Sequence, residues 1–124
     1  MGKVLIVDDD TGIVHLLARL VQKKGHTAYI ASDGCMALSL AREQQPDLIF
    51  TDLKMPDMAG DELITLLRAE PLLARVPLIV LSGNAVTLDL DVIQADAVLS
   101  KPFQLQTVYN VLDHYLSLSQ NLPA

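Results

Sequence analysis

The stretch Val4-Leu5-Ile6-Val7-Asp8-Asp9-Asp10 places four apolar residues directly before three consecutive acids. Four apolar residues without polar alternation are too few for a helix and predict a strand that is buried on both faces. Asp10 or Thr11 can cap a helix that follows, and Lys23-Lys24-Gly25 supplies a basic last turn and a glycine stop. The apolar side of this helix is expected to consist of Ile13, Leu16, Leu17, Leu20 and Val21.

The same succession of apolar strand and helix repeats along the chain. Further buried strands are predicted over residues 27–31, 48–51, 78–81 and 97–99. Helices are predicted after Asp33, after Gly60 and over residues 105–118. Parallel strands need helical crossovers, and the right-handedness of those crossovers restricts this α/β chain to a doubly wound open sheet. Function in such sheets lies at the carboxyl ends of the strands, so the residues after each apolar run are the first candidates.

The composition places the chain among single globular domains. It has 124 residues, of which 51% are hydrophobic and 19% charged, which is enough to bury a core and too apolar for disorder. The net charge of −6 argues against direct binding to nucleic acid and to anionic membrane surfaces, because both require a basic patch. A single cysteine, Cys35, and the lack of an apolar run of roughly 18 residues predict a cytoplasmic protein. The composition leaves the oligomeric state open.

Candidate site residues follow the first, third, fourth and fifth predicted strands. They are Asp8-Asp9-Asp10, Asp52, Ser82-Gly83 and Ser100-Lys101-Pro102. Carboxylates that converge at one sheet edge cannot all stay ionised without compensation, and a hard cation such as Mg²⁺, which prefers oxygen ligands, supplies it. Together with Lys101 and the Ser82 hydroxyl, such a cation suits a phosphoryl group, and one carboxylate can itself become an acyl phosphate.

Four segments of the chain resemble the receiver domain of two-component response regulators. They are Val7-Asp8-Asp9-Asp10, Asp52-Leu53-Lys54-Met55-Pro56-Asp57-Met58-Ala59-Gly60, Leu81-Ser82-Gly83 and Lys101-Pro102-Phe103. The resemblance implies a flavodoxin-like, five-stranded parallel sheet in the strand order 2-1-3-4-5, with helices on both faces. Residues 1–118 would then form the receiver domain, and residues 119–124 a tail or the stub of a linker.

The resemblance also implies roles for the acids. Asp52 is expected to accept a phosphoryl group from the phosphohistidine of a sensor histidine kinase or phosphotransfer protein, and so to become an aspartyl phosphate. Asp9, Asp52 and the backbone carbonyl of Lys54 are expected to bind Mg²⁺, while Asp8 acts through a bound water. The phosphorylated domain would signal to an output domain or partner protein by a conformational change. It would not turn over an external metabolite as an enzyme does.

Ser82 and Lys101 complete the set of residues to which the resemblance assigns a role. Ser82 is expected to be the switch hydroxyl that moves toward the aspartyl phosphate. Lys101 is expected to pair with a phosphoryl oxygen, and the Lys101–Pro102 peptide bond is expected to be cis.

The chain departs from the family pattern between its fourth and fifth strands. Val98 stands three residues before Lys101, where receivers commonly carry Tyr or Phe as a rotating switch, and a stiff valine has no ring to swing. Ser82 and Lys101 are 19 positions apart, about one helical turn less than usual. Residues 87–92 are weak helix formers, and Gln94 replaces the glycine that often ends this helix. We therefore expect a complete chemical site and an altered signalling surface.

Two other functions fit parts of the sequence. Asp8 and Asp10 have the spacing of the paired acids in Mg²⁺-dependent phosphohydrolases of the haloacid dehalogenase type. Against this alternative, Thr11-Gly12 reverses the usual order of those two residues, and the chain has no room for a cap domain. The other alternative is a receiver-like interaction module whose output does not depend on phosphorylation, which Val98 and the short predicted helix between Ser82 and Lys101 favour.

Several further polar residues are expected to have structural or surface roles. Glu62, Arg68 and Arg75 are assigned to solvated faces of the predicted helices and loops. Cys35 is expected to be a packing residue on a helix face.

Overall fold

The computed structural model describes residues 2–55, 57–83 and 94–120. Within these residues the chain forms a sheet of five strands. The strands are β1 (Lys3–Val7), β2 (Thr27–Ala31), β3 (Leu48–Asp52), β4 (Leu78–Ser82) and β5 (Ala97–Ser100). Their order across the sheet is β2-β1-β3-β4-β5, and every neighbouring pair is parallel. The doubly wound topology and the strand order expected from the sequence are confirmed, and each strand end lies within one residue of its predicted position.

Helices cover both faces of the sheet. They are α1 (Thr11–Lys23), α2 (Gly34–Gln44), α3 (Gly60–Arg68) and α4 (Leu105–Gln120). Alternate residues of β1 point to opposite faces of the sheet. Val4 and Ile6 belong to the core cluster formed with α1 and α4, whereas Leu5 and Val7 belong to the cluster formed with α2 and α3.

Two of the predicted segments reach beyond the described residues. The weak helix predicted over residues 87–92 falls within residues 84–93, and the end of the predicted tail falls within residues 121–124. Helix α4 itself continues to Gln120, past the domain end predicted at residue 118. Within the described ranges, no helix is long and apolar enough to cross a membrane.

The first turns of α1 and α2 are capped by the predicted acids. The Asp10 carboxylate accepts hydrogen bonds from the N–H groups of Gly12 and Ile13 at 2.9 and 3.2 Å. The Asp33 carboxylate accepts one from the Met36 N–H at 2.8 Å. Such a cap typically stabilises a helix by about 0.5–2 kcal/mol, so the side chain of Asp10 stabilises the start of α1.

The buried face of α1 differs from the predicted one. Leu16 is 47% exposed, whereas Val14 and Ala18 are buried against the sheet. Apolar residues occur on several sides of this helix, so helical spacing alone permits more than one buried face. Contact with the sheet selects the face that contains Val14, Leu17, Ala18, Leu20 and Val21.

The prediction of a solvated Arg68 is wrong. Its side chain is only 13% exposed, and its guanidinium donates hydrogen bonds to the carbonyls of Val76 at 2.7 Å, Ala74 at 3.2 Å and Gln94 at 3.1 Å. It also donates to the carboxylate of Asp96 at 3.1 Å. The several donors of this one arginine, the last residue of α3, join the α3–β4 connection to the residues before β5.

Candidate functional site

Three carboxylates meet at the carboxyl edge of the central strands. Asp8 and Asp9 follow β1 and Asp52 ends β3, and the pairing of Val7 with Thr51 places these strand ends side by side. One carboxylate oxygen of each acid lies within 4.8 Å of the others. The side chain of Asp8 is 1% exposed and that of Asp52 15% exposed, while Asp9 is open to solvent. The cluster therefore has one buried wall and one accessible side.

Lys101 supplies positive charge to this cluster. Its ammonium donates hydrogen bonds to Asp8 Oδ2 at 2.9 Å and to Asp52 Oδ2 at 3.4 Å. Burial by itself would lower the pKa of Lys101, but the hydrogen bond to Asp8 and the charges of Asp52 and Asp8 outweigh burial and raise this pKa. Lys101 therefore stays protonated. Three carboxylates and one ammonium give the cluster a formal charge of −2.

Backbone N–H groups orient the other carboxylate oxygen, Oδ1, of Asp8 and of Asp52. Asp8 Oδ1 accepts a hydrogen bond from the Asp10 N–H at 3.0 Å. Asp52 Oδ1 accepts hydrogen bonds from the N–H groups of Leu53 at 2.7 Å and Lys54 at 3.3 Å. These bonds leave Oδ2 of both acids facing Lys101 and hold the chain after Asp52 close to the site.

The donor set of this cluster fits a hard divalent cation. The side-chain ligand atoms are all carboxylate oxygens, which Mg²⁺ prefers, and the formal charge of −2 is what such a cation neutralises. Asp9 and Asp52 offer oxygens on the accessible side, where water can complete the coordination shell. The ammonium of Lys101 lies beside them and can bind an anionic group.

Ser82 and Lys101 reach the same edge through β4 and β5. Leu81 pairs with Asp52, so Ser82 is the next residue along β4 past that carboxylate. The Lys101 N–H donates to the Ser82 carbonyl at 2.8 Å and holds the two strand ends together. The Lys101–Pro102 peptide bond is cis, as expected. The structure thus brings the predicted site residues to one edge, while the chemical role of each stays a prediction.

Asp57 makes a contact that sequence reasoning missed. Its carboxylate oxygens accept hydrogen bonds from the N–H groups of Gly34 and Cys35, at 2.8 and 2.9 Å, at the start of α2. These backbone hydrogen bonds lower the pKa of Asp57 from 3.8 to about 2. The partners are 23 and 22 residues away along the chain, so no local pattern specifies the pairing.

Val98 occupies the position of the expected aromatic switch. It pairs with Val80 across β4 and β5 and packs, half-buried, against the core cluster that contains Val80. The switch position therefore carries a small aliphatic side chain held in the sheet.

A family model of the response regulator receiver domain matches residues 4–113. The chain belongs to this receiver family. It is 32% identical over 125 residues to sporulation initiation phosphotransferase F of Bacillus subtilis, which covers 96% of this chain and 97% of that protein. It is also 32% identical over 105 residues to the DNA-binding response regulator MtrA of Mycobacterium tuberculosis, with 82% of this chain and 45% of MtrA covered.

Solved receiver structures have the same fold. The chemotaxis response regulator CheY4 of Vibrio cholerae superposes with a TM-score of 0.86 and 29% identity, covering 93% of this chain and 98% of CheY4. The receiver domain of the sensor histidine kinase PA1611 from Pseudomonas aeruginosa, solved with a magnesium ion coordinated in its active site cleft, superposes with a TM-score of 0.85 and 25% identity. That match covers 94% of this chain and 98% of the PA1611 receiver.

The expected fold and function class are confirmed by these matches. The chain is a flavodoxin-like receiver domain of two-component signalling, and receivers are signalling modules. The phosphohydrolase alternative gains no support, because the side chain of Asp10, the second acid of that motif, caps α1.

Proposed function

We propose that this receiver accepts a phosphoryl group from a phosphohistidine onto Asp52. The observation that supports this choice is the exposure of Asp52, which is intermediate between that of the buried Asp8 and that of the exposed Asp9. The side chain of Asp8 is 1% exposed and that of Asp52 15% exposed, so burial keeps an incoming phosphorus atom away from Asp8 but not from Asp52. Among the described contacts, Lys101 pairs with Asp8 and Asp52 and not with Asp9. Asp52 is therefore accessible to an incoming phosphoryl group and has the ammonium of Lys101 beside it.

The proposed reaction is a displacement at phosphorus. A carboxylate oxygen of Asp52 forms an O–P bond while the P–N bond to the donor imidazole breaks, and the imidazole nitrogen keeps the electron pair and takes a proton from water. The products are an acyl phosphate on Asp52 and an unmodified histidine on the donor. Lys101 is placed to bind a phosphoryl oxygen, because its ammonium already contacts the accepting carboxylate. Ser82, at the end of β4, is proposed to donate its hydroxyl hydrogen to another phosphoryl oxygen.

Mg²⁺ is proposed to bind at the same edge. Asp9, Asp52 and the carbonyl of Lys54 would be direct ligands, and Asp8 would act through a bound water. When bound, the cation neutralises negative charge on the carboxylates and on phosphoryl oxygens. The magnesium ion in the active site cleft of the PA1611 receiver supports this assignment.

Phosphorylation by acetyl phosphate tests the acceptor directly. In the presence of Mg²⁺, the wild-type chain should gain one hydroxylamine-labile phosphoryl group, measured by mass spectrometry of the intact protein. Asp52→Asn should gain none, because an amide cannot form the acyl phosphate. Asp61→Asn is a suitable control, since it removes a carboxylate from the exposed first turn of α3 and should label like the wild type. Wild-type labelling in Asp52→Asn would place the acceptor elsewhere.

The proposed phosphodonor is a sensor histidine kinase or a phosphotransfer protein that approaches the edge carrying Asp52. Beside Lys101 lies a cavity of about 350 Å³, whose apolar lining consists of Ile13, Leu16, Pro102 and Phe103. A protein donor that reaches Asp52 passes over this apolar rim, and Leu16 is 47% exposed there. Leu16→Lys should therefore slow transfer from a protein donor more than it slows labelling by acetyl phosphate. Equal slowing by both donors would place the donor contact away from this cavity.

An output domain or partner protein completes the proposed function. The chain spans 97% of the Bacillus subtilis relative but only 45% of MtrA. With either relative, the output domain or partner protein of this chain is a proposal. A cytoplasmic location and the lack of direct nucleic-acid binding stay predictions from the composition.

A phosphorylation-independent output is the second candidate, and the aliphatic Val98 in β5 is the observation that favours it. Amide NMR spectra with and without beryllofluoride, a phosphoryl mimic, separate the two candidates. Phosphorylation-dependent output predicts shifts that extend well beyond the residues around Asp52. Shifts confined to those residues would favour the second candidate.

A further inference from the structure

The loop between β3 and α3 is attached at two points. Asp52 closes β3, and the two N–H groups just after it donate hydrogen bonds to Asp52 Oδ1. Further along the loop, Asp57 accepts hydrogen bonds from the N–H groups of Gly34 and Cys35 at 2.8 and 2.9 Å. The carbonyl of Lys54, which is proposed as a Mg²⁺ ligand, follows the first attachment along the chain and precedes the second.

A close packing contact accompanies the hydrogen bonds of Asp57. The Met58 side chain lies over Gly34, and a β-carbon at position 34 would overlap it. Gly34 is the first residue of α2 and is buried. The loop and the helix therefore fit together because position 34 has no side chain.

Helix α2 has its own cap in Asp33. A helix N-terminus has four N–H groups without partners inside the helix. Asp33 satisfies the Met36 N–H at 2.8 Å, whereas Asp57 reaches α2 from a distant part of the chain. If Asp57 were absent, water could accept the hydrogen bond from the Cys35 N–H, because Cys35 is exposed. The hydrogen bonds from Gly34 and Cys35 to Asp57 therefore fix the position of the β3–α3 loop, which carries Asp57.

We propose that Asp57 is a positioning residue of the acceptor site, which holds Lys54 and the chain after Asp52 in the arrangement that binds Mg²⁺. This inference rests on the proposed function, because it takes Lys54 as a ligand of the cation. Without the attachment to α2, the loop leaves the helix and the Lys54 carbonyl is no longer held near the acids. Mg²⁺ affinity then falls, and phosphorylation falls with it wherever Mg²⁺ is limiting.

Mg²⁺ titration followed by the amide chemical shifts around Asp52 tests this role without any phosphoryl donor. Asp57→Ala is expected to raise the Mg²⁺ dissociation constant by about tenfold, since contacts that support metal ligands commonly have effects of this size. Asp57→Asn keeps one oxygen acceptor but places an amide NH₂ where the second carboxylate oxygen stood, so it can bind only one of the two helix N–H groups and should recover only part of the affinity. Gly34→Ala keeps Asp57 but forces Met58 away, so it should also weaken Mg²⁺ binding.

Asp33→Ala is the matched control for Asp57→Ala. It removes a hydrogen bond at the same end of α2, and among the described hydrogen bonds Asp33 makes none to the β3–α3 loop, so its Mg²⁺ affinity should stay close to that of the wild type. Wild-type affinity in Asp57→Ala, or an equal loss in Asp33→Ala, would overturn the positioning role. A wild-type chain that binds Mg²⁺ but takes no phosphoryl group from acetyl phosphate would instead refute the proposed function. The titration would still show whether Asp57 supports Mg²⁺ binding, because it uses no phosphoryl donor.

Discussion

The ammonium of Lys101 donates a 2.9 Å hydrogen bond to Asp8 Oδ2, and the side chain of Asp8 is 1% exposed. A buried carboxylate that loses its cation has neither water nor a counterion. Lys101→Met is therefore expected to lower the free energy of unfolding by about 3 kcal/mol in Mg²⁺-free buffer, measured by urea denaturation. Adding Asp8→Asn should recover part of this loss, because the unpaired charge is then gone. Simple addition of the two single losses would contradict the coupling of this pair.

Lys101 also competes with Mg²⁺ for the charge of the acidic cluster, because its ammonium contacts both Asp8 and Asp52. Without it, the carboxylates repel one another more strongly and a divalent cation is bound more tightly. We expect Lys101→Met to lower the Mg²⁺ dissociation constant by about tenfold, equivalent to about 1.4 kcal/mol. Labelling of Asp52 by acetyl phosphate should nevertheless become slower, because a phosphoryl oxygen has lost its cationic partner. Weaker Mg²⁺ binding in this variant would argue against the competition.

The hydrogen bonds of Asp57 predict a specific dependence of stability on pH. Backbone donation from Gly34 and Cys35 lowers the pKa of Asp57 from 3.8 to about 2. Because the pKa in the folded state lies below that of the unfolded chain, the stabilising contribution of Asp57 is complete above pH 3.8 and is lost as the pH falls toward 2. The difference in free energy of unfolding between wild type and Asp57→Asn should therefore shrink over that range. A difference that does not vary with pH would rule out a stabilising charge at Asp57.

The strands and the acidic edge could be predicted because their signals are local. Each strand is an apolar run with polar residues at its end, and a parallel sheet brings those ends to one edge irrespective of the loops. Asp8 and Asp52 were therefore expected to meet Lys101, and hydrogen bonds of 2.9 and 3.4 Å join them to it.

The contacts of Asp57 and Arg68 could not be predicted in the same way. Each side chain binds backbone groups of a segment that is distant along the chain, such as Gly34 for Asp57 and Gln94 for Arg68. Which carbonyls and N–H groups face a given loop depends on how the elements pack, and hydrophobic periodicity carries no information on that. Leu16 is exposed for a related reason, because the sheet and not the spacing selects the buried face of α1.

Two glutamines adopt backbone conformations that favour glycine. Gln94 has φ of 61° and Gln45 has φ of 48°. Gln94→Gly and Gln45→Gly are each expected to raise the free energy of unfolding by about 0.5–1 kcal/mol, because relief of the left-handed strain exceeds the flexibility that glycine adds to the unfolded chain. Ser39→Gly, at an exposed helical position of α2, is the contrasting control and should lower stability by about 0.5 kcal/mol. Losses in both glutamine variants under urea denaturation would show that these conformations are unstrained.

The response to phosphorylation is expected away from Val98. In receivers with Tyr or Phe at this position, the ring moves into space vacated as the switch hydroxyl shifts, but Val98 has no ring and pairs with Val80 inside the sheet. We expect the response instead in residues 83–94, of which 84–93 lie outside the described part of the chain. Their sequence has weak helical propensity, and switching segments are drawn from the less stable parts of a fold.

Amide hydrogen exchange with and without beryllofluoride locates this response. Protection should change across residues 83–94, because movement of Ser82 toward the phosphoryl mimic pulls on the chain that follows β4. Ser82→Ala removes the hydroxyl and should reduce the change, whereas Ser39→Ala, on the exposed side of α2, should leave it intact. A change in protection over residues 98–103 without one over residues 83–94 would mean that Val98 still transmits the signal, and that the loss of the aromatic ring has not moved the switch.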